Sequence, residues 1–86
     1  MRGWKKIAKP KKVDFSIIGS RIYKIRGDEY EVTLYRSLGS PKYYFVNVCG
    51  VTAGVRRKSR WIKSDEGISL EKAVKVFADI TYSDIG

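Results

Sequence analysis

The chain has no histidine, a single cysteine, two prolines and no long apolar run, and each shortage removes a class of function. Without histidine the usual general acid–base of neutral-pH chemistry is missing, and neither a Ser–His nor a Cys–His pair can be assembled. The common zinc ligand sets go with it, and one cysteine cannot close an intramolecular disulfide. No catalysis, no metal and no cofactor are expected. A lone thiol also fits a reducing compartment, so the expectation is an intracellular protein, cytoplasmic or nucleoid-associated. No run approaches the ~18 apolar residues of a membrane span. The opening "MRGWKKIAKPKK" is not followed by the apolar stretch of a signal peptide, and no membrane partner is expected.

What is present is charge of one sign. In 86 residues the net charge is +9, and it is concentrated in blocks. Residues 1–26 hold nine Lys/Arg against one acid, and residues 56–63 hold five with none. Residues 27–55 and 64–86 are slightly acidic. A generic basic protein spreads its charge; a binding face concentrates it. With 43% hydrophobic and 31% charged residues the composition is that of one small folded domain. A core this small is marginal alone, so a homodimer that extends it is a further expectation.

Residues 1–12, with "KKIAKPKK" and Pro10, show no usable period and read as a flexible basic arm ahead of a single domain over 13–86. "VDFSII" alternates as a strand, with Val13, Phe15 and Ile17 on one side. "RIYKIR" either continues it past a kink at Gly19 or forms a second strand, and "GDE" at 27–29 is a turn. In "YEVTLYR" Tyr30, Val32 and Leu34 share one face, and Glu31, Thr33 and Tyr35 the other. "SLGSPK" is a loop, and "YYFVNVC" splits into Tyr43–Phe45–Asn47–Cys49 and Tyr44–Val46–Val48. "GVTAG" reads as a turn bounded by Gly50 and Gly54, followed by a basic strand. The only strong helix signal is "SLEKAVKVFADI", where Leu70, Ala73, Val74, Phe77 and Ala78 form one stripe behind Ser69 as N-cap. The fold class expected is α+β: an antiparallel meander of four or five strands with one C-terminal amphipathic helix on one face.

Asp28, Glu29 and Glu31 cluster at a turn, where acids are ordinarily just solvated, and Cys49 in an apolar strand behaves as a small buried hydrophobe. The stretch "GVRRKSRWIK" (54–63) is different. Strict alternation would put Arg56, Lys58 and Arg60 on one face and Arg57, Ser59 and Trp61 on the other. Neither is a core face. Three cations about 6.5–7 Å apart match phosphates taken two at a time along one backbone. Trp61, Tyr35, Tyr43 and Tyr44 in the same sheet are either stacking surfaces for bases or ordinary cross-strand packing.

A Gly-Ile-Ser-Leu segment (Gly67, Ile68, Ser69, Leu70) leading from a sheet into a helix that runs to Ile80 resembles the transcriptional positive-coactivator family of single-strand DNA binders. The resemblance implies a curved basic and aromatic sheet and a helix that helps form a dimer. Ser64, Asp65 and Glu66 stand where that family tends to be basic. Three strands followed by a helix, with an arginine-rich strand, is also similar to sheet-type duplex binders. Among those are the arm-binding domains of phage-type integrases and the plant ethylene-response domains.

The functional expectation is a non-catalytic nucleic-acid-binding protein, with DNA the more expected target than RNA. Arg56, Arg57, Lys58, Arg60 and Lys63 would hold phosphates, Trp61, Tyr43 and Tyr44 would stack, and Lys11 and Lys12 would act as an auxiliary arm. The alternative is a protein–protein module or small regulator whose basic face docks an acidic partner.

Overall fold

The computed structural model describes residues 3–10, 15–25, 27–39 and 42–80. Five strands, β1 (Trp4–Ile7), β2 (Phe15–Ile25), β3 (Asp28–Ser37), β4 (Tyr44–Thr52) and β5 (Val55–Ser64), precede one helix, α1 (Leu70–Asp79). The strands form a single antiparallel sheet in the order β1-β5-β4-β3-β2, with the helix on one face. This is the α+β meander that the alternation pattern predicts.

Strands β3 and β4 are the centre. Val32 pairs with Val48 and Leu34 with Val46, so the two apolar faces read from sequence meet on one side of the sheet. Tyr30, Val32, Leu34, Tyr44, Val46, Val48 and Ile62 form the core there with Ala73 and Ile80. Strand β2 is continuous, but its register shifts between Ile17 and Gly19. This bulge is why Ile22 and Ile25 break the alternation in the sequence: one extra residue reverses the parity of everything after it. Arg21 and Tyr23 then face the helix, and Ile22 turns outward.

The β4–β5 connection is tighter than the expected five-residue turn. Thr52 pairs with Val55, leaving only Ala53 and Gly54 as the loop, both at positive φ (50° and 78°). That is the two-residue geometry matching the twist of a hairpin. Gly50 is a strand residue. A β-carbon there would lie 2.9 Å from Arg57 Nη2, so the guanidinium of Arg57 rests where a side chain would stand.

Two expectations are corrected. The basic arm is not uniform: Trp4–Ile7 is a strand, paired with β5 from Trp4↔Ser64 to Ile7↔Trp61, and Trp4 belongs to the core. Trp4 supplies the apolar anchor that a lysine-rich segment would otherwise lack. The helix begins where its cap predicts, with the Ser69 hydroxyl accepting from Lys72 N at 3.2 Å. It is rotated relative to the expected stripe, however. Ala73, Val76, Phe77 and Ile80 face the sheet, while Leu70 and Val74 remain 42% and 41% exposed. Ile80, just past the last turn, decides the rotation: its side chain is buried and its carbonyl accepts from Arg21 Nη2 at 2.5 Å.

Leu34→Ala is expected to destabilise the protein by about 2–5 kcal/mol, and Val74→Ala by no more than about 0.5 kcal/mol, measured by urea unfolding. Equal losses would refute the observed rotation of α1. Ala53→Asn, placing a residue tolerant of positive φ in the tight turn, should stabilise by about 0.5–1 kcal/mol. A loss of stability in the same assay would contradict the turn geometry.

Candidate nucleic-acid interface

The two cationic blocks that lie at opposite ends of the sequence are neighbours in the sheet. Lys5 and Lys6 of β1 pair across to Lys63 and Ile62 of β5. Neither β1 nor β5 contains an acidic residue, and Lys9 follows directly behind β1. Lys5, Lys6, Lys9, Arg56, Arg57, Lys58, Arg60 and Lys63 therefore share one side of the molecule.

Their distribution between the faces differs from strict alternation. The register between β4 and β5 shifts, with Cys49 opposite Ser59 but Val51 opposite Arg56. The extra residue sends Arg56 to the face of Trp61, while Arg57, Lys58 and Arg60 lie on the helix face. The expected Arg56–Lys58–Arg60 row is thus replaced by Arg57–Lys58–Arg60. Arg56 is committed elsewhere: its guanidinium is bonded to the Glu31 carboxylate. Lys24 similarly pairs with Glu29 at 3.3 Å, so two members of the acidic turn serve as ion-pair partners. The Arg57 carbonyl, at the bulge, accepts from the buried Cys49 thiol at 3.2 Å.

The aromatic candidates fall into three situations. Tyr44 is buried in the core beneath the helix, and cannot stack on a base. Tyr43 is only half-buried, but its ring carries Lys63 Nζ at 3.9 Å from the centroid, and its hydroxyl donates to Glu66 Oε1 at 2.6 Å. That hydrogen bond, then desolvation and the nearby carboxylate charge, raise the Tyr43 pKa above its ordinary value. Trp61 is half-buried on the face away from the helix, within an aromatic cluster that sequence reasoning missed. Its ring lies 5.5 Å from Tyr35 (26° between planes) and 6.4 Å from Phe15 (25°), and Phe15 also meets Phe45 at 5.3 Å. Only a coiled sheet lets Phe15 of β2 reach Trp61 of β5 across two intervening strands. The indole Nε1 of Trp61 is buried without an acceptor.

β1 stops covering β5 at Trp61, and no strand lies beside Ser59 on that side. Where the chain leaves β1, it opens a cleft of about 530 Å³ against β5. Lys6, Ala8 and Lys9 line one wall, and Lys58, Arg60 and Trp61 the other. This cleft joins cations from both blocks to an aromatic ring. Lys11 and Lys12 lie outside the described residues.

No family model, curated protein or solved structure matches this chain.

Function must accordingly be read from the geometry. Among the described residues no helix is long and apolar enough to cross a membrane. No group of three or more Cys, Asp or Glu is placed there to hold a metal.

The Tyr43–Glu66 bond gives a direct check on this corner of the site. In an alkaline titration followed by phenolate absorbance, Glu66→Ala should let Tyr43 ionise at lower pH than in the wild type. The bond needs the phenol proton, so its contribution is complete below about pH 10 and is lost as pH rises through the higher folded value. Superimposable titrations of the two proteins would remove the bond from the account.

Proposed function

We propose that this protein is a non-catalytic nucleic-acid-binding protein, with DNA as the expected target, and that the β1–β5 side of the sheet is its contact surface. The observation that carries the reading is the lateral pairing of two acid-free, lysine- and arginine-rich strands. Like charges placed directly opposite, as Lys5 and Lys63 are, destabilise a strand pair. A chain that concentrates them on one side gains from a polyanion laid along it, because each neutralised phosphate also releases condensed counterions.

The supporting geometry is consistent in sign. Acids flank this surface rather than interrupting it, with Glu66 engaged by Tyr43 and Glu31 by Arg56. Arg57, Lys58 and Arg60 follow one another along the outermost part of β5, where an extended backbone would meet them in turn. Tyr43 contributes by steadying Lys63, and not as a stacking platform.

Binding of labelled oligonucleotides, followed by anisotropy at several salt concentrations, tests the reading. The logarithm of the binding constant should fall linearly with the logarithm of salt. The double variant Lys9→Glu/Lys58→Glu should bind more weakly and lose roughly 0.7–0.9 of slope per phosphate contact removed. Lys72→Glu/Lys75→Glu, on the exposed side of α1, should bind as the wild type does. If generic DNA is ignored at physiological salt, the basic side serves an acidic protein partner and the proposal fails.

A further inference from the structure

We infer that the cleft between the exit of β1 and the outer side of β5 receives one unpaired nucleotide, base inward, which makes the protein a reader of single strands. The inference rests on the nucleic-acid reading and names the form of the ligand.

Size and chemistry both point there. At about 530 Å³ the cleft falls in the ~300–1,000 Å³ range of small-molecule sites, far from the flat contact that a stacked duplex requires. Its walls alternate in character. Lys6 and Lys9 stand on one side and Lys58 and Arg60 on the other, with Ala8 and Trp61 supplying apolar surface between the cationic groups. A nucleotide within a strand has that profile, a flat ring system with a phosphate on either side. A simple anion would leave the apolar part unused, and an acidic peptide has no flat ring to offer it.

The orientation of Trp61 fits the same ligand. Tyr35 and Phe15, which pack against its ring, come from strands on the β4 side of β5, whereas the cleft lies on the β1 side. The indole is thus held from behind and presented to the cleft, with its rotamer fixed in folding and not at binding. Beside it, Ser59 has no strand on its outer side, so backbone donors and acceptors stand open to the edge of a base. In a duplex the base faces are buried in the stack, and only edges are presented in the grooves. An unpaired base offers both.

The test uses the full chain and three ligands of about 12 nucleotides, a length within the range of single-strand sites: a mixed-sequence strand, its duplex, and an abasic strand with the same phosphates. At one salt concentration the base-bearing strand should bind at least about fivefold more tightly than the abasic one, the lower bound expected from stacking of a single base. Ala8→Trp, which fills the cleft from an exposed position and leaves every charge in place, should bring the normal strand down to the abasic level. Abasic affinity should be unaltered, which also shows the variant to be folded. The duplex should bind no better than the abasic strand. Equal binding of normal and abasic strands by the wild type would overturn the inference while leaving phosphate binding intact. So would an Ala8→Trp protein that keeps the full preference for bases. Failure of all three ligands to bind would overturn the nucleic-acid reading itself.

Discussion

A five-stranded sheet has two faces to keep from water, and this chain has one ten-residue helix with which to do it. The helix covers the face carrying Val32, Leu34, Val46 and Val48. The other face is closed by its own side chains. Phe15, Tyr35, Phe45 and Trp61 converge from four strands and bury Thr33 and Asn47 beneath them. That convergence requires a coiled sheet, and the bulges in β2 and β5 supply the extra twist. The aromatic ring that lines the cleft is therefore also a structural member of the second face.

The same economy explains how a cationic strand is kept in place. β1 has four residues and sets Lys5 directly against Lys63. Three features offset that repulsion. Trp4 buries its indole in the main core, Asp65 N donates to the Gly3 carbonyl at 2.8 Å, and Lys63 is drawn to the face of Tyr43. Each is modest alone; a cation over an exposed aromatic ring contributes about 0.5–1 kcal/mol. Together they hold two basic strands side by side with no acid between them.

Much of the architecture is legible in the residues because period-two patterning is strong in the central strands. Tyr30, Val32 and Leu34, and Tyr44, Val46 and Val48, take their faces from alternation alone, and Ser69 marks the helix start. What alternation cannot encode is the position of an added residue. The shifts near Gly19 and Gly50 exchange the faces of all that follows, so Ile22 and Arg56 both fall opposite to a simple count. Nor does a local pattern report a distant partner. Trp4 in a lysine-rich segment gives no local sign that it reaches a core built from residues 30 to 80, and the pairing of Lys5 with Lys63 is invisible without topology. The helix stripe failed for another reason: apolar residues occupy more than half its circumference, and the sheet selects among them through Ile80, outside the helical pattern.

The strand order also has a temporal meaning. β2, β3, β4 and β5 each pair with the strand next to them in sequence, so those contacts close over short loops. β1 alone must wait, since its partner is the last strand of the chain. Loop-closure entropy delays such pairings, and the long-range ones dominate the folding time of β-rich domains. The meander can assemble hairpin by hairpin while the first strand remains unattached. The two basic blocks are thus kept apart through most of folding and brought together at its final step, when the rest of the sheet is in place to resist their repulsion. A polyanion present at that moment would bind the closed form alone, and by mass action would draw the last strand home.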